Sequence, residues 1–272
     1  GRPGRPRRTP WDKCPPLRAW RHNHRMCSHP SVALPLPLTS FVAEREGAQS
    51  RLLVLLHGYG EPVADLTGRL RLLDPAADFL AVAPDAPFER RGRTIWHRAL
   101  TARDEAEAQF VQSLAALDAH LGELQDRTGL PAAEAVVGGF SQGGGMALGL
   151  LLGADVAHRP AAGFGVCSFP PSVRGFRVDL SAAAGRPFFL SSAHQDHFAP
   201  IEMSRTGAAQ LRDAGLDLTY VESGGGHEMT DEAAAQVGAW LAGAAGAPHG
   251  HALLDGVVAR DSYFDGLWEV VG

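Results

Sequence analysis

The sequence has 272 residues, of which 45% are hydrophobic and 20% charged, proportions that are ordinary for a globular protein. This length is enough for one large core, and no internal repeat or long linker argues for a second domain. The net charge of −5 gives no reason to expect nucleic acid as a partner, and no apolar run is long enough to cross a membrane.

The charge is unevenly distributed along the chain. The first 30 residues hold eight Arg and Lys against a single Asp, together with several prolines. We therefore predict a basic, disordered arm at residues 1–30, a folded domain at 31–243 and a C-terminal extension at 244–272. The arm either binds anionic surfaces or precedes a translation start at Met26.

Three scattered cysteines cannot form a disulfide framework, which favours a reducing, cytoplasmic compartment.

Apolar runs and helical periodicity predict alternating strands and helices. In chain order these are an edge hairpin at 31–46, a buried strand at 51–56, a helix at 63–73, a strand at 79–83, a polar loop at 90–98 and an amphipathic helix at 104–127. After them come a strand at 135–140, a helix from 142, a strand at 161–167, an irregular stretch at 168–186, a strand at 187–192, a helix at 201–214, a strand at 216–222 and a helix at 231–242.

Six strands alternating with helices indicate an α/β protein with a doubly wound, mostly parallel sheet and helices on both faces. The carboxyl ends of parallel strands meet at one rim, where we expect the functional site. The aromatic residues near the C-terminus dock either on this domain or on a second subunit, so a homodimer stays open.

Ser141 stands in the run Gly139-Phe140-Ser141-Gln142-Gly143, between a predicted strand and a predicted helix. In that context a Gly-x-Ser-x-Gly run forms a tight turn that projects the serine hydroxyl. Glycine on either side removes side chains where strand and helix come close. We therefore expect a nucleophilic serine, with an inert serine in a glycine-rich turn as the alternative.

A serine hydroxyl needs an adjacent base, which is itself oriented by an acid. In folds of this type the chain order is serine, acid, histidine. Asp196 follows the strand at 187–192, and His227 follows the strand at 216–222. These positions predict a triad of Ser141, Asp196 and His227 at the rim.

Several other residues compete for roles at this rim. Asp85 and Glu222 also lie near strand ends and are alternative acids. His194 and His197 flank Asp196 as loop residues or as a metal pair. No third ligand stands at a suitable spacing, so we predict no metal and no cofactor.

Two backbone N–H groups are candidates for an oxyanion hole. Gln142 opens the helix after the serine, where N–H groups lack intrahelical acceptors. Tyr59 lies in the loop after the strand at 51–56, where Gly58 and Gly60 let the backbone approach a substrate. The side chain of His57 is expected to support that loop.

Aromatic residues on the predicted loops are candidates for an acyl pocket. We name Trp96, Phe169 and Phe198, with core or rim packing as the alternative for each. Between the strand at 79–83 and the helix at 104–127 lie four arginines, Arg90, Arg91, Arg93 and Arg98. They are either solvated or bind an anionic head group of the substrate.

The motifs together resemble one known family. They are Leu56-His57-Gly58-Tyr59-Gly60, Ala83-Pro84-Asp85-Ala86-Pro87, Gly139-Phe140-Ser141-Gln142-Gly143-Gly144, Asp196 with Pro200, and Gly226-His227-Glu228. Over residues 51–242 the chain resembles the phospholipase/carboxylesterase family of α/β-hydrolases, which includes acyl-protein thioesterases. The resemblance implies an α/β-hydrolase fold without a large cap domain, a triad of Ser141, Asp196 and His227, and ester or thioester hydrolysis without a cofactor.

The sequence departs from the family pattern at two places. Glu61 stands where an Asp usually follows the His-Gly-x-Gly run, and the approach to Asp196 is shorter than usual. The function expected first is a serine carboxylesterase acting on small-molecule or lipid-like acyl esters. The alternatives are an acyl-thioesterase or lysophospholipase on longer chains, and a non-catalytic binding module of the same fold.

Overall fold

The computed structural model describes residues 37–43, 49–98, 103–243, 251–257 and 267–271. The predicted basic arm lies outside these ranges. The strands are, in chain order, β1 (Ser40–Val42), β2 (Arg51–Leu56), β3 (Phe79–Pro84), β4 (Phe88–Arg90), β5 (Arg93–Ile95), β6 (Val136–Phe140), β7 (Ala162–Val166), β8 (Phe176–Val178), β9 (Pro187–Ala193), β10 (Asp217–Ser223) and β11 (Trp268–Val270).

The α-helices alternate with the strands of the main sheet. They are α1 (Ala64–Thr67), α2 (Leu70–Leu73), α3 (Arg103–Thr128), α4 (Gln142–Leu152), α5 (Leu180–Ala183), α6 (Ile201–Asp213) and α7 (Asp231–Leu241). Short 3₁₀ helices occur at Ala132–Glu134 and His251–Leu254. Among the described helices, none is both long and apolar enough to cross a bilayer.

The main sheet has seven strands in the order β1-β3-β2-β6-β7-β9-β10. All neighbours pair in parallel except β1, which runs antiparallel to β3 at one edge. The predicted doubly wound, mostly parallel sheet is therefore confirmed. Its six parallel strands are those that the sequence predicts.

The central strand β2 shows why apolar runs predict this sheet. Leu52, Val54 and Leu56 pack into one hydrophobic cluster, while Leu53 and Leu55 pack into a second cluster on the opposite face. Successive side chains of a strand point to opposite faces, so a strand with helices on both sides is apolar throughout. Helices α3, α4 and α6 cover the first face, and α1, α2 and α7 cover the second.

The structure bears on two predictions for the first part of the chain. Of the edge hairpin predicted at 31–46, the structure describes residues 37–43, whose strand β1 pairs with β3, while residues 31–36 and 44–46 lie outside the described ranges. The helix predicted at 63–73 is broken into α1 and α2 at Gly68 and Arg69. Glycine has poor helix propensity, and Arg69, with φ −97° and ψ 7°, leaves the helical region.

The polar loop predicted at 90–98 is instead a β-hairpin. Strands β4 and β5 pair antiparallel with Phe88 opposite Ile95. Arg91 and Gly92 both have positive φ, 52° and 74°, as in the two-residue turns that suit the twist of a hairpin. No local pattern in the sequence indicates this turn, because arginine seldom occupies the first of these positions.

The C-terminal extension docks on the same chain. Strand β11 pairs in parallel with β8, in the stretch predicted to be irregular, with Trp268 opposite Phe176. The indole N–H of Trp268 donates a hydrogen bond of 2.9 Å to the carbonyl oxygen of Pro171. This docking decides between the two positions that the sequence left open for Trp268.

We expect Trp268→Ala to lower the free energy of unfolding by about 1–3 kcal/mol, because it removes a partly buried indole and its hydrogen bond. Urea denaturation followed by circular dichroism measures this change. Val270→Ala is the matched control on the same strand, since Val270 is 58% exposed. Equal effects of the two substitutions would contradict the docking of Trp268.

Candidate active site

Ser141 occupies the sharp turn between β6 and α4. Its backbone has φ 51° and ψ −116°, a region that residues with a side chain seldom adopt. The Ser141 N–H donates to the carbonyl oxygen of Val166 at 2.9 Å, which fixes the turn against the neighbouring strand β7. The strained geometry places the side chain of Ser141 at the carboxyl end of the sheet.

Glycine is required on both sides of this turn. A Cβ atom on Gly139 would lie 1.9 Å from the carbonyl oxygen of Leu56, and a Cβ atom on Gly143 would lie 2.0 Å from the same oxygen. Both distances are shorter than any van der Waals contact. The end of β2 therefore presses directly against the turn that carries Ser141.

Ser168 supports the turn from the other side. Its buried hydroxyl donates to the carbonyl oxygen of Ser141 at 2.9 Å. Sequence patterns give no sign of this role for Ser168, because the two serines are 27 positions apart and no local motif links them.

His227 joins Ser141 to Asp196. The His227 Nε2 atom lies 2.8 Å from Ser141 Oγ, and His227 Nδ1 lies 2.7 Å from Asp196 Oδ2. With a neutral ring, Nδ1–H donates a hydrogen bond to the Asp196 carboxylate, and the Ser141 hydroxyl donates to Nε2. The structure thus brings together the three residues that the sequence analysis named.

Asp196 is held by backbone groups as well as by His227. Its Oδ1 atom accepts N–H bonds from Phe198 and Ala199, both at 2.8 Å. The carboxylate is fully buried, whereas the His227 side chain is 16% exposed. Burying a charge is costly unless hydrogen bonds compensate it, and here three donors do so.

The loops that carry Asp196 and His227 are bonded to each other. The N–H of His194 donates to the carbonyl oxygen of Ser223 at 3.0 Å, and the N–H of Gln195 donates to the carbonyl oxygen of Gly225 at 2.8 Å. These bonds continue the pairing of β9 with β10 beyond the strands. The short approach to Asp196 therefore keeps it close to His227.

The two backbone N–H groups that the sequence predicts for an oxyanion hole follow different strands of the main sheet. Gln142 is the first residue of α4, and Tyr59 lies in the loop after β2. Within the described ranges, neither N–H donates to a protein acceptor. The Gln142 side chain instead donates to the carbonyl oxygen of His97 at 2.8 Å, and the N–H of Gly60 donates to Thr94 at 3.1 Å.

His57 fixes the loop that carries Tyr59. Its Nδ1 atom donates to the carbonyl oxygen of Gly58 at 2.7 Å, and its Nε2 atom accepts the N–H of Ala86 at 3.1 Å. Burial lowers the pKa of His57, although the Gly58 carbonyl opposes this shift. A neutral ring with Nδ1 protonated satisfies both hydrogen bonds.

The three aromatic residues predicted to line an acyl pocket differ in burial and in contacts. Trp96 is fully buried and donates its indole N–H to His57 O at 2.9 Å, so it belongs to the core and its placement in the pocket is wrong. Phe198 is 78% exposed, with its ring centroid 5.1 Å from that of His227. Phe169 is half-buried, and its carbonyl oxygen lies beside the first turn of α4.

Cys167 lies beneath the histidine and was also missed by the sequence analysis. Among the described residues, Cys167, Asp196 and His227 form a group whose potential metal-ligand atoms lie within 4.8 Å of one another. Burial raises the pKa of the Cys167 thiol to about 12, so it stays protonated at neutral pH. Metal binding needs a thiolate and would break the bond between Asp196 and His227.

Comparison with known proteins identifies the family. A family model described as phospholipase/carboxylesterase matches residues 38–242. The chain belongs to the phospholipase/carboxylesterase family. The resemblance seen in the sequence is therefore confirmed, and the fold is that of the α/β-hydrolases to which the family belongs.

Individual relatives of the family agree with this placement. The protein MhqD of Bacillus subtilis (strain 168) is 25% identical over 201 residues, which cover 72% of this chain and 94% of MhqD. The crystal structure of esterase PE8 is 29% identical with a TM-score of 0.63, over 76% of this chain and 99% of PE8. A Bacillus cereus carboxylesterase is 19% identical with a TM-score of 0.67, over 76% and 95% of the two chains, and shares the fold.

The backbone strain at Ser141 predicts a difference between two variants that both lack the hydroxyl. We expect Ser141→Gly to be more stable than Ser141→Ala by about 1 kcal/mol. Relief of the strained φ outweighs the conformational freedom that glycine gains in the unfolded chain. Urea denaturation midpoints of the two variants measure the difference. An alanine variant as stable as the glycine variant would show that the turn is unstrained.

Proposed function

We propose that the protein is a serine carboxylesterase that works through an acyl-enzyme intermediate. The observation that carries this proposal is the continuous row of hydrogen bonds from Ser141 Oγ through His227 to Asp196, at 2.8 Å and 2.7 Å. Membership of a hydrolase family and the likeness to esterase PE8 support the same class of reaction.

In the first half of the proposed reaction, Ser141 Oγ attacks the ester carbonyl carbon and His227 Nε2 takes the hydroxyl proton. The carbonyl oxygen becomes an oxyanion that accepts hydrogen bonds from the backbone N–H groups of Tyr59 and Gln142. Asp196 stabilises the imidazolium that forms. The carbon–oxygen bond to the alcohol then breaks, and His227 returns its proton to the departing alcohol.

Water completes the reaction by the same steps. His227 takes a proton from a water molecule, and the resulting hydroxide attacks the acyl carbon bound to Ser141. The second oxyanion collapses, the bond to Ser141 Oγ breaks, and His227 protonates the serine. The products are a carboxylic acid and an alcohol, and no cofactor is needed.

The substrate that we propose is a small-molecule or lipid-like acyl ester. The exposed ring of Phe198, with its centroid 5.1 Å from that of His227, offers apolar surface to an acyl chain, and the half-buried Phe169 is the second candidate. A thioester is cleaved by the same steps, with a thiol as the leaving group. A lysophospholipid is cleaved in the same way when its acyl chain fits beside Phe198.

Hydrolysis of p-nitrophenyl acetate, butyrate and decanoate tests the proposal. We expect Ser141→Ala to lower kcat/KM by about 10³-fold or more, because the nucleophile is lost. Ser181→Ala is the matched control, since Ser181 is an exposed serine whose hydroxyl bonds to Asp179. The chain-length profile separates small esters from lipid-like substrates.

Activity retained in a folded Ser141→Ala protein would refute the assignment. A folded wild-type protein that cleaves none of the three oxygen esters, but cleaves an acyl thioester in a Ser141-dependent way, would replace the esterase proposal by a thioesterase. Failure on both kinds of substrate would favour the non-catalytic binding module.

A further inference from the structure

The β4–β5 hairpin presents three arginines next to the loop that carries Tyr59. Arg90 ends β4, Arg91 lies in the turn and Arg93 begins β5. Arg91 and Arg93 are exposed, and Arg90 is half-buried. The hairpin, which the sequence did not predict, therefore gathers side chains that the sequence placed only in a polar loop.

The hairpin is firmly attached to the loop after β2. The N–H of Gly60 donates to the carbonyl oxygen of Thr94 at 3.1 Å, and Arg93 Nη1 donates to the carbonyl oxygen of Gly60 at 3.4 Å. The aliphatic part of Arg93 packs on Gly60, since a Cβ atom there would lie 3.1 Å from Arg93 Cδ. These contacts hold Arg93 against the loop that carries Tyr59.

Arg90 contacts Tyr59 directly. Its Nη1 atom donates to the Tyr59 hydroxyl oxygen at 2.7 Å, and Tyr59 is 38% exposed. A phenol accepts this hydrogen bond without neutralising the guanidinium. A positive charge therefore lies one tyrosine side chain away from the backbone N–H that we assign to the oxyanion hole.

No acidic side chain balances these charges within the described ranges, where none of the three arginines lies within ion-pair distance of a carboxylate. By contrast, Arg98 pairs with Glu105 at 2.6 Å just beyond the hairpin. The Glu61 carboxylate on the neighbouring loop turns toward Gly58. Cations without a carboxylate partner create a local positive potential that attracts anionic ligands.

We propose that Arg90 and Arg93 bind an anionic group of the substrate, so that the enzyme prefers esters bearing a carboxylate a few bonds from the scissile carbonyl. This inference rests on the proposed esterase function and names its substrate class. Arginine suits the role because its planar guanidinium pairs with a carboxylate through two parallel hydrogen bonds. Arg91, at the tip of the turn, adds to the potential.

The test compares charged and neutral esters of matched size. The p-nitrophenyl monoester of glutaric acid and p-nitrophenyl valerate have the same acyl length and differ by the terminal carboxylate. A second pair, 4-acetoxybenzoate and its methyl ester, places the carboxylate on the leaving group. The measured quantity is the ratio of kcat/KM for the charged ester over the neutral ester in each pair.

We expect a ratio above one in at least one pair, and a fall of that ratio by about tenfold in Arg90→Gln and in Arg93→Gln. The fall should lie mainly in KM, because the contact is made equally in the ground state and the transition state. Added salt should reduce the wild-type ratio. Arg212→Gln is the control, since it removes one positive charge from a half-buried arginine on α6.

Each outcome decides the proposal. If Ser141-dependent hydrolysis of the neutral esters is observed but neither ratio depends on Arg90 or Arg93, the anionic subsite is refuted while the esterase function stands. Equal falls in Arg212→Gln would also refute it, because they would report net charge and not a site. Absence of Ser141-dependent hydrolysis of every ester would overturn the esterase function and this proposal together.

Discussion

The close approach of β2 to the turn at Ser141 constrains the whole site. The carbonyl oxygen of Leu56 occupies the space that a side chain at Gly139 or Gly143 would need. This contact exists because β2 and β6 are neighbours in the sheet, with Leu56 paired to Gly139. Strand order, the two glycines and the position of Ser141 are therefore parts of one packing arrangement. The loop after β2 is brought beside Ser141 by the same contact.

The buried polar groups of the site compensate one another. Asp196 is fully buried, yet two backbone N–H groups and His227 satisfy its carboxylate. His57 is buried on the opposite side of the site and stays neutral between a carbonyl oxygen and an N–H group. The site thus has one buried anion with full hydrogen bonding, and its histidines differ in role because their surroundings differ.

The sequence predicts structure best where neighbouring residues reflect the packing of the whole sheet. The apolar run of β2 predicts a strand with both faces covered, and the glycines around Ser141 predict a tight turn. Sequence patterns predict a residue's position less well where contacts with residues distant in the sequence determine it. Trp96 lies next to polar residues in the sequence, but after the hairpin it is buried and hydrogen-bonded to the carbonyl oxygen of His57. No neighbouring residue in the sequence indicates this position. Cys167 and Ser168 likewise gain their positions from β7, which brings them beneath distant loops.

The docking of β11 has a consequence beyond the stability of one tryptophan. Strand β11 lies outside residues 38–242, which the family model covers, and it pairs with β8 along the stretch that follows Phe169. An open strand edge is a template for pairing with another chain. Strand β11 occupies this edge of β8, so the edge is not open to pairing with another chain. A protein shortened to the family boundary would expose the β8 edge and aggregate more readily.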